Sequence, residues 1–301
     1  MSRPDRIVLV FLDGVGIGPP DARINPFLAA RLPTFAALGG GHVPTLTAPS
    51  ASGPDGHVFP LDATLGVAGI PQSGTGQTAL LTGVDAAALF GGHFGPWIPV
   101  RLRPVVRERS VLRRAAEAGR SVAFANAYPE GWPGPGGSRR IAGPPLAAEG
   151  AGALIRHGDA LAREEAVSSE IVNGAWRERF GLEGLPDVDP RRAGRNLARL
   201  SGSYDLTLFA HYTTDAAGHR REMAPAVEAL ERVDGFLEGL LEAVDGGTLV
   251  LVVSDHGNVE DVSVGHTRNP VLGMAVGPGA EDAAALRDLR EVTPFVLDRL
   301  G

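Results

Sequence analysis

The sequence contains no cysteine, no lysine and few aromatic side chains, which make up 6% of its residues. Without cysteine, the chain can form no disulfide, use no thiolate metal ligand and attack with no thiol. Without lysine, it can form no Schiff base, and the side chains that hold an anionic substrate by charge must be arginines. A metal site in this chain must therefore use carboxylate, imidazole or hydroxyl groups.

Basic charge and long apolar runs are also scarce. The net charge is -7, which argues against a nucleic-acid partner, although a local basic pocket for a small anion remains compatible with it. The first apolar run, Ile7–Leu12, is too short for a signal sequence, and no later run is long enough to span a membrane. We therefore expect a cytoplasmic protein without a membrane partner. Nothing in the sequence indicates an oligomeric state.

The order of apolar and amphipathic segments predicts an α/β fold. Five continuous apolar runs are typical of buried parallel strands: Ile7–Leu12, Ser121–Ala125, Leu206–Ala210, Thr248–Val253 and Val271–Val276. Five segments have helical patterns: Pro33–Leu38, Gln77–Leu81, Val111–Ala118, Ala224–Val244 and Ala283–Leu300. Their alternation indicates a mainly parallel sheet with helices on both faces. The glycine- and proline-rich stretch 128–145 and the charged helical patterns after it predict a small inserted cap at 128–200. The core then comprises 1–127 and 201–301.

Polar residues follow three of the predicted strands. Asp13 ends the first run, Asp215 and His219 follow the run at 206–210, and Asp255-His256 follows the run at 248–253. Ligands of open α/β sheets bind at the carboxyl ends of the strands. Aspartate and histidine together suit Zn²⁺ or Mn²⁺. The pattern predicts a metal site at this edge of the sheet.

Each residue also has a simpler interpretation when it is taken alone. Asp215 and His219 have the spacing of a solvated helical pair, and Asp13 has the position of a helix N-cap. A lone histidine such as His266 is more often a hydrogen-bonded structural residue, and Arg268 beside it can reach either a substrate anion or an acidic neighbour. The metal interpretation depends on the combination of these residues.

Ser73 lies in the segment PQSGTGQT at 71–78, where a glycine-rich loop is predicted to enter a helix. The first N–H groups of a helix can stabilise the oxygens of a phosphoryl group. The alternative is a serine or threonine that only caps the helix.

Five segments resemble a known family. They are LVFLDGVGIG at 9–18, PQSGTGQTALLTG at 71–83, TDAAGH at 214–219, SDHGNVED at 254–261 and GHTRNPV at 265–271. In this order they resemble the alkaline phosphatase superfamily, and within it the branch of the cofactor-independent phosphoglycerate mutases and phosphopentomutases. The resemblance implies an alkaline-phosphatase-like core with two divalent metal ions, Mn²⁺ or Zn²⁺.

The resemblance also implies roles for individual residues. It assigns Asp215, His219 and His266 to one metal. It assigns Asp13, Asp255 and His256 to the other, together with the hydroxyl oxygen of Ser73. Ser73 would be the nucleophile, with Thr75 and Thr78 as the alternatives.

The implied function is two-metal phosphoryl transfer on a small-molecule phosphate ester through a phosphoserine intermediate. The predicted cap is much shorter than the inserted domain of the mutases, which favours a phosphohydrolase whose intermediate is open to water. The alternatives are a phosphomutase, a phosphodiesterase and a metal-binding protein without activity. The family's lysine near the phosphate is missing, and Arg268, Arg220 or Arg221 would replace it.

Overall fold

A seven-stranded sheet organises the part of the chain that the computed structural model describes, residues 3–133 and 140–301. Its strands are β1 (Arg6–Leu12), β2 (Ala51–Ser52), β3 (Gly56–Leu61), β4 (Val122–Phe124), β5 (Leu206–His211), β6 (Thr248–Ser254) and β7 (Val271–Val276). They lie in the order β2-β3-β7-β6-β1-β5-β4. The prediction of an α/β fold with a mainly parallel sheet is confirmed.

The α-helices fill both faces of this sheet. They are α1 (Pro33–Leu38), α2 (Ser73–Thr82), α3 (Ala86–Phe90), α4 (Arg103–Arg109), α5 (Val111–Glu117), α6 (Gly143–Gly150), α7 (Gly158–Ala162), α8 (Gly174–Phe180), α9 (Pro190–Ser201), α10 (Thr213–Gly218), α11 (Met223–Ala243), α12 (Ala280–Ala283) and α13 (Val292–Leu300). Among the described residues, no helix has the length and apolar character needed to cross a membrane.

The central strand β1 brings the predicted ligands to one edge. It pairs in parallel with β5 on one side and β6 on the other, and Leu12 is in register with both His211 and Ser254. The residues that follow these three strands therefore emerge side by side. Because side chains alternate along a strand, Leu9 enters the core on one face and Val10 enters the core on the other.

The predicted parallel direction of β7 is wrong. β7 runs antiparallel to β6, with Val252 opposite Met274. A parallel neighbour needs a long crossover, usually a helix, and no helix lies in the segment between these two strands. The chain instead turns back across the end of β6 and carries His266 with it. The sequence interpretation also missed β3, which pairs antiparallel with β7.

The single helix predicted at Ala283–Leu300 is also wrong. Here α12 ends at Ala283, a 3₁₀ turn covers Leu289–Glu291, and α13 begins at Val292. Residues between them pair with the chain after β3, since the N–H of Asp62 donates to the carbonyl of Arg287 at 2.7 Å. The carbonyl of Arg287 is used in this tertiary hydrogen bond and is not available for the hydrogen bond that a continuous helix would form.

The division into a core and a cap at 128–200 stays a prediction, and residues 134–139 of it lie outside the described residues. Helices α6 and α9 pack into the two large core clusters, through Leu146 and Leu197 respectively. Between them, Leu161 and Trp176 belong to a small separate cluster.

Candidate metal centre

Asp13 is held where β1 ends. Its N–H donates to the carbonyl of His211 at 2.9 Å, which continues the pairing with β5 for one more residue. Its carbonyl accepts from the hydroxyl of Thr214 at 2.6 Å. These bonds fix the backbone on both sides of a carboxylate that is 7% exposed.

Asp13, Asp255 and His256 form a buried cluster that we call the inner group. The Nε2 of His256 lies 3.1 Å from the Oδ1 of Asp13 and 3.7 Å from the Oδ2 of Asp255. The other carboxylate oxygens have ordinary donors: Gln77 donates to the Oδ2 of Asp13 at 3.1 Å, and the N–H of Gly14 donates to the Oδ1 of Asp255 at 3.2 Å.

The two oxygens that face inward in this group accept no hydrogen bond. The Oδ1 of Asp13 and the Oδ2 of Asp255 are buried without a donor among the described residues. Buried carboxylate oxygens are costly unless a cation or a donor meets them. Two oxygens and one imidazole nitrogen close together form a donor set that suits Mn²⁺ or Zn²⁺. The residues present therefore fit a divalent cation.

Ser73 adds a hydroxyl to this group. It is the first residue of α2, and its Oγ lies 3.0 Å from the Nε2 of His256. The alternatives use their hydroxyls elsewhere, because Thr75 donates to the carbonyl of Gln72 at 3.3 Å and Thr78 donates to that of Gly74 at 2.7 Å. This geometry favours Ser73 over both threonines.

Asp215, His219 and His266 form a second cluster, which we call the outer group. The Nε2 of His219 lies 3.2 Å from the Oδ2 of Asp215, and the Nε2 of His266 lies 3.5 Å from its Oδ1. The two imidazole Nε2 atoms are 3.3 Å apart. The outer group is closer to solvent, since the side chain of His219 is 54% exposed.

The two groups are adjacent. The rings of His256 and His266 stack with centroids 4.0 Å apart. The Oδ1 of Asp215 lies 3.8 Å from the Nε2 of His256. As a result, Asp215 lies close to the histidines of both groups. The ligand atoms of Asp215, His256 and His266 are near enough to one another to hold a metal ion without His219.

Burial and mutual repulsion dominate the charges of the inner group. Burial, followed by the charge of Asp255, raises the pKa of Asp13, and burial also raises the pKa of Asp255. For His256, burial alone would lower the pKa, but the surrounding carboxylates outweigh burial and raise the pKa to about 10. Without a metal, a protonated imidazole is therefore the counter-charge of this cluster.

The outer group has the opposite balance. Burial would raise the pKa of Asp215, but the hydrogen bonds from His219 and His266 outweigh it, so the pKa lies well below its usual range. The hydrogen bond to Asp215 in turn raises the pKa of His219. Asp215 is thus ionised without help from a bound cation.

Three supporting residues were missed in the sequence interpretation. Gln77 donates to Asp13 and accepts from the N–H of Gly143 at 2.8 Å. Asn258 donates to the Oδ1 of Asp215 at 2.6 Å. Gly14 has a φ of +69°, and a Cβ there would lie 2.6 Å from Asp215. Their only signal was membership of the motifs: Gln77 lies one helical turn after Ser73, and Asn258 follows the Asp-His pair.

Arg268 lies on the same loop as His266 with its side chain exposed, and its contact with a substrate stays a prediction. Of the suggested replacements for lysine, Arg221 donates to the carbonyl of Ser263. Arg220 is exposed.

The comparisons with known proteins concern the family and the fold. The model of the Metalloenzyme superfamily matches residues 187–301. A 2,3-bisphosphoglycerate-independent phosphoglycerate mutase from Halobacterium salinarum is 36% identical over 107 residues, which are 32% of this chain and 21% of that protein. An enzyme of the same name from Desulforudis audaxviator is 38% identical over 134 residues, or 38% of this chain and 25% of that protein. The chain thus matches only about a quarter of the length of these relatives.

A solved structure shows a similar fold over nearly the whole chain. The alkaline phosphatase from the Antarctic bacterium TAB5 superposes with a TM-score of 0.55 at 12% identity, covering 99% of this chain and 98% of that one. This likeness confirms the predicted alkaline-phosphatase-like fold of the core. The resemblance to the superfamily is supported by the matched segment 187–301 and by the mutase relatives.

Proposed function

We propose that this alkaline-phosphatase-like chain is a two-metal-dependent phosphoryl-transfer enzyme that acts on a small-molecule phosphate ester. The observation that carries the proposal is the position of Ser73, whose Oγ lies at the start of α2 and 3.0 Å from the Nε2 of His256. A buried hydroxyl beside unpartnered carboxylate oxygens is arranged for nucleophilic attack rather than for capping a helix.

The inner group and the Ser73 hydroxyl would hold one divalent cation, and the outer group would hold the other, as Mn²⁺ or Zn²⁺. When bound, the cations would favour the ionised hydroxyl and offset charge on the phosphoryl oxygens. A cytoplasmic location remains part of the proposal.

The residues of the chain account for the remaining chemistry. The Oγ of Ser73 attacks phosphorus, the bond from phosphorus to the ester oxygen breaks, and a phosphoserine results. The N–H of Thr75 donates to the carbonyl of Phe94 at 3.0 Å, so the N–H groups of Ser73 and Gly74 at the start of α2 would be the ones to meet the phosphoryl oxygens. Arg268, which is exposed, would meet the remainder of an anionic substrate.

A phosphohydrolase is the main proposal. It is supported by the exposure of His219, which indicates that water can reach the outer group. Water would then cleave the phosphoserine and release phosphate. A phosphodiesterase is a further alternative with the same Ser73 chemistry.

A phosphomutase is the second candidate, because the relatives with matching segments are named as phosphoglycerate mutases. In that case a second hydroxyl of the retained substrate would take the phosphoryl group. Phosphorus NMR with 3-phosphoglycerate separates the two: free phosphate indicates a hydrolase, and 2-phosphoglycerate indicates a mutase.

The broader proposal is tested by turnover of aryl phosphates and phosphoglycerates with added Mn²⁺ or Zn²⁺. Replacing the nucleophile should lower kcat by roughly three orders of magnitude or more, so Ser73→Ala should be inactive while it still binds metal. Thr75→Val is the matched control and should retain turnover. Wild-type turnover no higher than that of Ser73→Ala on every ester would contradict the proposal.

A further inference from the structure

Glu260 is a fully buried carboxylate that the proposed chemistry does not use. It accepts four hydrogen bonds. The N–H groups of Gly16 and Asn258 donate to its Oε2 at 3.0 and 2.7 Å. The Thr267 hydroxyl and the Asn269 amide donate to its Oε1 at 2.5 and 3.0 Å. Both oxygens are thus satisfied, in contrast to the inward-facing oxygens of the inner group.

The donors come from two stretches of chain that carry candidate ligands: the loop after β1, and the connection from β6 to β7 to which Glu260 itself belongs. Gly16 lies on the loop after β1, which begins with the first aspartate of the inner group. Asn258 lies at the start of the β6–β7 connection and is separated from the Asp-His pair by Gly257. Thr267 is the neighbour of His266 in the outer group. The carboxylate of Glu260 therefore links both ends of its own loop to the loop after β1, which lies 244 positions away in the sequence.

Glu260 reaches a third ligand-bearing segment, helix α10, through one intermediate residue. Asn258, whose N–H donates to Glu260, donates with its side chain to Asp215 on α10 at 2.6 Å. The fit around the carboxylate is close, since a Cβ on either Gly16 or Gly257 would lie 2.4 Å from Glu260. Small displacements of this side chain would consequently move several loops.

We propose that Glu260 is a positioning residue that sets the distance between the inner and outer groups and thereby the affinity for metal. The inference rests on the proposed two-metal function. Groups that orient metal ligands from behind typically change metal affinity 10–100-fold when they are removed. Four neutral donors satisfy both oxygens of this buried carboxylate.

Two of the donors can only donate, and the other two can also accept. The choice of test variants depends on this difference. The N–H groups of Gly16 and Asn258 can only donate. The hydroxyl of Thr267 and the amide of Asn269 can reverse and accept. In Glu260→Gln, the new carbonyl can face the two N–H groups and the new NH₂ can face the reversible pair. Glu260→Gln should thus preserve the arrangement, and Glu260→Ala should lose it.

The experiment is a calorimetric titration of Mn²⁺ into the metal-free full chain, together with thermal unfolding. Glu260→Ala should bind Mn²⁺ roughly 10–100-fold more weakly, and Glu260→Gln should bind close to wild type. Asp234→Ala is the matched control. Asp234 is another buried carboxylate, and it accepts from the N–H groups of Thr34 and Phe35 on α1. Its loss should lower Tm without changing the affinity for Mn²⁺.

The outcomes separate the positioning role from a structural one. Wild-type affinity in Glu260→Ala would overturn the inference, even if Tm fell. Affinity in Glu260→Gln as low as that in Glu260→Ala would also overturn it. If Glu260→Ala does not fold, Thr267→Val removes one donor and should weaken Mn²⁺ binding by a smaller factor, and unchanged binding would overturn the inference.

Failure of the proposed function has a different result. A wild-type chain that binds no Mn²⁺ overturns both proposals. A wild-type chain that binds Mn²⁺ and transfers no phosphoryl group contradicts only the enzymatic proposal, since the titrations of the Glu260 variants still decide the positioning role.

Discussion

The inner and outer groups contain the same kinds of side chain in different surroundings. His256 in the inner group is fully buried, whereas the side chain of His219 in the outer group is 54% exposed. The inner carboxylates have raised pKa values because of burial, and the pKa of Asp215 is lowered by its imidazole partners despite burial. We therefore expect the buried carboxylates at the strand ends to need a cation for ionisation more than the carboxylate of the outer group does.

This difference indicates separate tasks. The inner group lies at the ends of β1 and β6, so its ligands are fixed by the sheet before any metal binds. The outer group uses the short helix α10 and the loop that carries His266. We expect the inner cation to be retained more tightly and the outer cation to exchange more readily with solvent.

The largest effect should come from Asp255→Asn. The change removes a charge from the inner group, so one equivalent of metal should be lost and kcat should fall by at least about two orders of magnitude. Elemental analysis after gel filtration, together with an activity assay, checks this. Asp234→Asn, at a buried aspartate without a metal role, is the control. If Asp255→Asn retained two metal ions tightly, the proposal that the inner group holds its cation more tightly than the outer group would be contradicted.

Chelation of the metals should lower thermal stability. Each cation that binds only the folded chain stabilises it by about 2.7 kcal/mol at a hundredfold excess over Kd. Wild-type protein should therefore unfold at a lower temperature in EDTA and recover with Mn²⁺. The shift should be smaller in Asp255→Asn than in His219→Ala, because the inner site contributes more. Equal shifts in the two variants would contradict the comparison.

His211 provides a reference for burial without carboxylates. It is as buried as His256 and lies at the end of β5, where its Nδ1 is 2.8 Å from the carbonyl of Ser169. Burial lowers the pKa of His211 to about 4, and this outweighs the opposing effect of that hydrogen bond. Two equally buried histidines thus have pKa values shifted in opposite directions.

The sign of the pH effect follows from proton uptake. Between about pH 6.5 and 4 the unfolded chain binds a proton at His211 that the folded chain does not, so stability is lost as the pH falls through this window. The loss is about 3 kcal/mol. His211→Asn keeps a donor for Ser169, and chemical denaturation should show a flatter decline for it. Parallel declines for the two proteins would contradict the assignment.

The smallest effect should come from His219→Ala. Because this side chain is exposed, water can take its place, and the outer affinity should fall by roughly tenfold. Activity should return as the concentration of Mn²⁺ is raised, which a titration of rate against metal measures. If His219→Ala were inactive even at saturating Mn²⁺, His219 would be as necessary for activity as Asp255, which would contradict the comparison.

Much of the fold could be predicted from local pattern. The strands β1, β5 and β6 are buried on both faces, so their sequences are continuously apolar and their polar ends stand out. The direction of β7 could not be predicted this way, because it depends on the connection and not on the strand's own residues. The break before α13 had the same origin, since Asp62 and Arg287 pair across a long sequence separation.

The site divides similarly. Ligand types such as Asp13 and His256 follow from motifs at strand ends, and the structure brings all seven predicted residues together, although their roles stay predictions. The supporting bonds of Gln77 and Asn258 depend on how loops pack against each other. No periodicity in the sequence indicates which polar side chain of a loop faces inward.

The position of β1 has a consequence for synthesis. The strand is synthesised well before its neighbours, because β1 ends at Leu12 whereas β5 begins at Leu206 and β6 at Thr248. Until then β1 is an apolar segment without its partners, and such segments are prone to aggregate. Asp13 therefore gains Asp255 and His256 as neighbours only after these residues have been synthesised, and the proposed inner metal site cannot form earlier.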